Sequence, residues 1–313
     1  MISGAEPFSS IIVRDVLYSE ATIMLDRRTF LWTVTATTLL ARRFGWAAAE
    51  HKIEKIGLQL YTVRDAMQRD FEGTLAQVAA IGYQEVEFAG YFDRSPKDIR
   101  SLLDRNGLIS PSTHVDYEVL GEKWPKEIET SKVIGQSYII CPWIPEEVRN
   151  QPDGWKRAAE AFNRAGEVSK KAGIQFGYHN HWFEFYPVNG KRPYDSLLAE
   201  CDPNLVKMEM DLCWIEVGGG DPLDYFRRYP GRFPLVHVKD VKRIPTRKES
   251  GGQDFGDSLP GMTEVGSGII DWKTIFAQSD EAGIKYYFVE HDNPKAPFDS
   301  IRTSFNYLNQ LRF

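Results

Sequence analysis

From Lys55 onward, the chain alternates short apolar runs with amphipathic segments, and this alternation repeats eight times. A short apolar run bounded by turn residues is typical of a buried strand, whereas apolar residues three and four apart indicate a helix. Eight strand–helix repeats predict an α/β fold, a closed (β/α)8 barrel. The predicted strands are Ile56–Tyr61, Glu85–Phe88, Ile109–His114, Tyr138–Cys141, Ile174–His179, Val206–Asp211, Leu235–Val238 and Tyr286–Glu290.

Glycines mark the ends of several predicted helices. An open, doubly wound sheet is the alternative arrangement of the repeats, but no GxGxxG motif follows the first strand. No linker or low-complexity tract follows residue 50, so we expect residues 50–313 to form a single domain. The polar, Gly-rich stretch Pro245–Gly268 is a candidate lid over the active site. The glycines that precede a strand, as helix C-caps do, are Gly82, Gly107, Gly135, Gly173 and Gly283.

Residues 1–49 carry a pattern that is typical of export. The paired arginines of Arg27–Leu31 precede a modestly apolar run, and Ala47–Ala49 offers small residues for cleavage. This pattern resembles a twin-arginine signal peptide and predicts a periplasmic protein. The apolar run is too short for a stable membrane anchor. Residues 1–23 look like an upstream extension before a natural start at Met24, and an amphipathic N-terminal helix is the alternative interpretation.

Composition excludes two classes of protein. The net charge of −6 and the pI near 5.6 argue against a nucleic-acid-binding surface. The three cysteines, Cys141, Cys201 and Cys213, have no metal-type spacing and leave one thiol unpaired in any disulfide scheme. We therefore expect neither a nucleic-acid partner nor a disulfide scaffold.

Four consecutive predicted strands end in side chains that bind metals. Strands five to eight end at His179, Asp211, His237 and Glu290. In a parallel barrel these ends converge on one side of the mouth, within reach of a single ion. Two imidazoles and two carboxylates suit Mn²⁺, Zn²⁺, Co²⁺ or Fe²⁺ and leave Mg²⁺ open. Because side chains alternate along a strand, Lys239 is expected to point the same way as His237.

The region from Lys55 to Phe313 resembles the sugar-phosphate isomerase/epimerase superfamily, whose xylose isomerase-like TIM barrels include inosose dehydratases and ketose 3-epimerases. This resemblance implies the same four metal ligands. Many epimerases of the family carry Glu at the position of His179, and that Glu is one of two acid/base carboxylates. Its replacement here makes the chain more similar to the dehydratase branch. The matching motifs are IGLQLYTVRD (Ile56–Asp65), YHNH (Tyr178–His181), DLCW…GGGDP (Asp211–Pro222), HVKD (His237–Asp240), VGSGIIDW (Val265–Trp272) and FVEHD (Phe288–Asp292).

The resemblance implies metal-dependent enolisation of an unphosphorylated sugar, keto-sugar or cyclitol, by an isomerase or epimerase. A divalent ion on a sugar carbonyl and its adjacent hydroxyl acidifies the neighbouring C–H bond. The candidate bases are His181 and Glu290, because a ligating His179 cannot accept the proton through the same nitrogen. Lys239 and Arg243 fit the roles of carbonyl polariser and hydroxyl clamp.

Other side chains are candidates for contact with the substrate. Gln59, Tyr61 and His114, from strands one and three, would complete the far wall of the site. Glu184 is a candidate ligand or a partner of one. Trp214, like Trp143 and Trp182, is either a surface on which a sugar stacks or a residue that fills the core.

Three other functions remain open from the sequence. An enolate beside a leaving group eliminates, so a 3-keto-glycoside lyase or a dehydratase is the alternative reaction. A non-catalytic periplasmic sugar-binding protein would need no ion. An endonuclease IV-like nuclease would need a basic groove and more than the six histidines present. The expected partner is therefore a small-molecule sugar or cyclitol, and the oligomeric state is open.

Overall fold

The computed structural model describes residues 50–245, residue 255 and residues 259–313. The predicted extension and signal peptide at residues 1–49 lie outside this range, so both stay predictions. Among the helices that are described, none has the length and apolar character needed to cross a membrane.

Eight parallel strands close into a barrel, as the alternation predicts. The strands pair in the order β1-β10-β7-β6-β5-β4-β3-β2. Closure occurs at β1, where Leu58 is in register with Val86 on one side and Val289 on the other. The barrel strands are β1 (Gly57–Gln59), β2 (Glu85–Phe88), β3 (Ile109–His114), β4 (Tyr138–Cys141), β5 (Gln175–His179), β6 (Val206–Asp211), β7 (Leu235–Val238) and β10 (Tyr286–Val289).

A small antiparallel ribbon lies outside the barrel. Its strands are β8 (Asp240–Val241), just before the stretch predicted to be a lid, and β9 (Met262–Thr263), within that stretch. Half of that stretch, residues 246–254 and 256–258, lies outside the described residues. Its role as a lid therefore stays a prediction.

The helices surround the barrel close to their predicted positions. All five predicted cap glycines have positive φ angles, between 65° and 124°, which a residue without Cβ adopts readily. The helical segment between the ribbon and the last barrel strand is broken between Phe276 and Ser279. The described α-helices are Arg64–Arg69, Phe71–Ile81, Pro96–Asn106, Trp124–Ile134, Glu146–Arg149, Gly154–Lys171, Pro193–Glu200, Leu212–Val217, Pro222–Arg228, Trp272–Phe276, Ser279–Ala282 and Pro297–Gln310.

Apolar side chains fill the barrel below its mouth. Ile140, Leu235 and Phe288 form a buried cluster that is separate from the larger core between strands and helices. Gly177 makes room for this cluster, since a Cβ there would lie 2.5 Å from Ile140 Cδ1. His237 follows Leu235 by two residues and so faces the same interior. The apolar layer thus lies directly below the polar side chains at the mouth of the barrel.

Candidate active site

The four predicted ligands meet at the mouth of the barrel. Asp211 and His237 are direct register partners on β6 and β7, while His179 ends β5 and Glu290 follows β10. All four side chains are buried, and one donor atom from each lies within 4.8 Å of the others. The four ligands that the strand ends predict therefore lie together in the structure.

The distances between these donors fit a shared ion. His237 Nδ1 lies 2.8 Å from Glu290 Oε2 and 3.1 Å from His179 Nε2. Asp211 Oδ1 caps the helix that follows β6, accepting hydrogen bonds from the amides of Cys213 and Trp214. The other oxygen, Oδ2, faces the cluster and lies 3.6 Å from His179 Nε2. Two nitrogen and two oxygen donors suit a borderline divalent ion, so the residues present fit a metal.

Lys239 lies beside this cluster, on the same face as His237. Its Nζ is 3.1 Å from Asp211 Oδ2, 2.9 Å from Glu290 Oε2 and 2.7 Å from Asp292 Oδ1. Burial opposes the charge, but the three carboxylates outweigh burial and hold the pKa of Lys239 well above its usual range. The side chain is therefore a fixed ammonium group and a proton donor that faces the cavity.

His181 lines the cavity as a neutral imidazole. Burial lowers the pKa of His181 well below its ordinary value, and the neighbouring His179 and Lys239 lower it further. Its ring stands edge-on to Trp143, with the centroids 4.8 Å apart. A neutral imidazole at the wall of a cavity is able to accept a proton from a bound molecule.

The cavity above these groups has a volume of about 600 Å³ and a wall rich in aromatic rings. Lys239 is the only lysine or arginine among the described residues that line it. A ligand that stacks on rings and carries hydroxyl groups suits this wall better than an anion does. The aromatic residues are Tyr61, Tyr91, Trp143, Trp182 and Trp214.

The predicted substrate residues fall into two groups. Tyr61, His114 and Trp214 line the cavity. Burial lowers the pKa of His114, but Glu87 and Glu209 outweigh burial and raise it to about 9.

Gln59 and Glu184 support the wall from behind. Gln59 is fully buried and donates to Glu87 Oε2. Glu184 accepts hydrogen bonds from the Tyr178 hydroxyl and from the backbone N–H of His181. Glu184 therefore holds the His181 loop and lies outside the cluster of metal donors.

Arg243 lies elsewhere. The barrel strand ends at Val238, and Arg243 follows the ribbon strand Asp240–Val241. Arg243 is exposed and is not among the residues that line the cavity. Lys239 directly follows the last strand residue, whereas Arg243 lies too far beyond it for the alternation to apply, so we leave Arg243 out of the proposed mechanism.

Three site carboxylates were not predicted from the sequence. Glu87, Glu209 and Asp292 are buried and contact the predicted residues. Glu209 stands two residues before Asp211 on the same face of β6, and Asp292 stands two after Glu290. The period of two along a strand was therefore a usable signal for Glu209, whereas Asp292 lies beyond the end of β10 at Val289. Glu87, in the run EVEF, follows from the same rule applied to β2.

Comparisons with known proteins agree with this fold. A family model described as "Xylose isomerase-like TIM barrel" matches residues 75–311. An inosose dehydratase of Lacticaseibacillus casei is 26% identical over 268 residues, which cover 76% of this chain and 89% of that protein. An inosose dehydratase of Geobacillus kaustophilus (strain HTA426) is 27% identical over 271 residues, with coverages of 76% and 86%.

A solved structure is also similar. The crystal structure of a sugar phosphate isomerase/epimerase from Parabacteroides distasonis has a TM-score of 0.68 and 29% sequence identity. The match covers 84% of this chain and 96% of that chain.

Proposed function

The chain belongs to the xylose isomerase-like TIM barrel family, and from that premise we propose that it is a metal-dependent enzyme that enolises an unphosphorylated keto-sugar or cyclitol. The observation that carries the proposal is the convergence of His179, Asp211, His237 and Glu290 beside a neutral His181 and a charged Lys239. The four ligands would hold a divalent ion, which would supply Lewis acidity to a substrate carbonyl.

Elimination of water is the outcome that the site supports best. His181 takes the proton from the carbon beside the carbonyl, and the electron pair of that C–H bond forms a carbon–carbon double bond. The C–O bond one carbon further breaks, and the Lys239 ammonium gives its proton to the leaving hydroxyl, which departs as water. Reversible epimerisation needs a base on each face of the substrate, and His179 replaces the second carboxylate that such a reaction would use. The similarity to two inosose dehydratases supports the same choice.

Isomerisation or epimerisation begins with the same proton abstraction beside the carbonyl. These reactions differ from elimination because the proton is returned to the substrate and no hydroxyl group leaves. The similarity to the sugar phosphate isomerase/epimerase supports this second candidate. Loss of a glycosidic oxygen, as in a 3-keto-glycoside lyase, is a third outcome of the same proton abstraction. The cavity of about 600 Å³ leaves room for a substituent on the sugar ring.

Metal content tests the site directly. We expect one equivalent of a divalent ion per chain, and we expect Asp211→Ala and His237→Ala to abolish its retention while the barrel stays folded. Rim residues contribute little to the apolar core, so circular dichroism should be unchanged. Full metal content in both variants would show that the assigned ligands are wrong.

Solvent exchange tests the reaction. The metal-loaded protein should be incubated in D₂O with inosose and with other keto-sugars, and the C–H beside the carbonyl followed by NMR. We expect that C–H bond to be cleaved on every turnover. Turnover without C–H cleavage would exclude dehydration, isomerisation, epimerisation and lyase chemistry together.

A further inference from the structure

The His237 ring contacts carboxylates through both of its nitrogens. Nδ1 faces the cluster of metal donors, 2.8 Å from Glu290 Oε2. Nε2 faces the opposite way and lies 2.7 Å from Glu87 Oε2 on β2, across the interior of the barrel. Both Glu87 and His237 are fully buried. A neutral imidazole carries one proton, so the partner of Nε2 decides which nitrogen is left to bind an ion.

Glu87 is itself held from several directions. Gln59 Nε2 donates to Glu87 Oε2 over 2.8 Å, and Gln59 Oε1 accepts from the backbone N–H of Tyr61 over 3.0 Å. The Tyr61 amide thereby fixes which end of the Gln59 side chain faces Glu87. His114 Nε2 lies 3.1 Å from the same Glu87 oxygen. Three nitrogens therefore lie within 3.1 Å of this one carboxylate oxygen, although the hydrogen bond of His114 Nε2 goes to Glu209 Oε2, over 2.7 Å.

We propose that Glu87 is a positioning residue that accepts the Nε2–H of His237 and so presents the Nδ1 lone pair to the metal site. A carboxylate behind a ligating histidine fixes its tautomer and orientation and raises its basicity as a ligand. The inference rests on the proposed metal site. Nothing in it requires Glu87 to touch the substrate or the ion.

A second ion is the competing interpretation. Glu87, His114, Glu209 and His237 also bring one donor atom each within 4.8 Å of one another. An ion there would need the Nε2 lone pair of His237, which the proton accepted by Glu87 occupies. The positioning role therefore predicts one ion per chain, whereas the competing site predicts two.

The experiment is a competition titration of the metal-free protein with Zn²⁺ and a chelator. The wild-type chain should bind one Zn²⁺, and Glu87→Gln should weaken binding by about 10- to 100-fold. Glu85→Gln is the matched control, because Glu85 is a buried carboxyl on the same strand that faces Lys55 instead of His237. It should bind Zn²⁺ as the wild type does. Equal affinity in Glu87→Gln and wild type, or two ions per wild-type chain, would overturn the positioning role.

A measurement on the wild-type protein makes the test independent of how the variant folds. In a long-range ¹H–¹⁵N NMR spectrum of the Zn²⁺-loaded chain, His237 should show a protonated Nε2 and a metal-bound Nδ1. The reverse assignment would overturn the proposal even if metal binding is confirmed. A wild-type chain that binds no ion at all would instead refute the proposed function on which this role depends.

Discussion

His181 and Lys239 line the same cavity, yet His181 is a neutral imidazole and Lys239 is a charged ammonium group. Their environments explain this difference in charge. His181 stands among aromatic rings and near other cationic or imidazole groups, all of which disfavour its protonated form. Lys239 is more deeply buried than His181 but has three carboxylates within 3.1 Å of its Nζ. The two environments thereby set the charge of each side chain, a neutral imidazole at His181 and an ammonium at Lys239, before any substrate enters.

The role of His181 can be separated from that of a ligand. His181→Gln should lower turnover by about 10²- to 10⁴-fold, the usual contribution of a positioned base, while one ion per chain is retained. Glu290→Gln should lose turnover together with metal affinity. Steady-state kinetics and metal analysis on both variants check this. If His181→Gln keeps wild-type turnover, the base is another group.

Glu85, at the opposite end of the barrel, predicts a pH effect on stability. Burial raises the pKa of Glu85 from 4.5 to about 7, and Lys55 only partly opposes it. Between these pH values the unfolded chain has released the proton and the folded chain has kept it, so stability falls as pH rises. The slope is at most about 1.4 kcal/mol per pH unit, and solvent screening reduces it.

Glu85→Gln should remove that slope. Urea unfolding of wild type and variant at pH 5, 6 and 7 measures the slope as a difference in the free energy of unfolding between the two proteins. This difference cancels the contribution of other titrating groups. The variant should gain stability relative to wild type as pH rises. A difference that is constant over this range would contradict the raised pKa.

At the scale of elements, the loop after β7 is tied to the barrel by one carboxylate. Asp240 accepts hydrogen bonds from the backbone N–H groups of Gly266 and Gly268, over 2.9 and 3.2 Å, and from the Trp272 indole over 3.1 Å. Because Asp240 directly follows Lys239, these hydrogen bonds also fix the backbone that carries the Lys239 side chain. The motifs HVKD and VGSGIIDW thus interact as a structural pair.

A methyl group at Gly268 should disrupt this connection. A Cβ there would overlap the Asp240 carboxylate and the Val241 carbonyl. We expect Gly268→Ala to lower the free energy of unfolding by about 1–3 kcal/mol, the usual range for a broken buried network. Gly121→Ala is the control, since a Cβ at Gly121 meets no atom within 4 Å. Thermal unfolding that fails to separate the two variants would refute the account.

At the scale of the whole molecule, export stays a prediction from residues 1–49. Arg27→Lys combined with Arg28→Lys should leave the protein unprocessed in the cytoplasm, because the twin-arginine route depends on the pair. Arg42→Lys with Arg43→Lys is the matched control and should be exported normally. Cell fractionation with immunoblotting measures both. Normal periplasmic recovery of the first double variant would contradict the signal assignment.

The sequence by itself determined the barrel and most of its mouth. Strand and helix periods are local properties, and the alternation of side chains fixes which residues of a strand face inward, so His237 and Lys239 were placed correctly. The strand ends His179, Asp211 and Glu290 followed from the same local rule. Arg243 lies five residues past the strand end at Val238, too far for the alternation to fix its direction, and its role stays a prediction.

Only the tertiary structure decided which inward side chains meet across the interior. Glu87 and His237 stand on strands that are not neighbours in the barrel, 150 residues apart in the chain, yet their side chains meet over 2.7 Å. That contact depends on the diameter of the closed barrel and the stagger of its strands, which no local pattern encodes. The same holds for Lys239 and its three carboxylates. Closure of eight strands, rather than any one motif, therefore sets the charge and tautomer of the groups at the site.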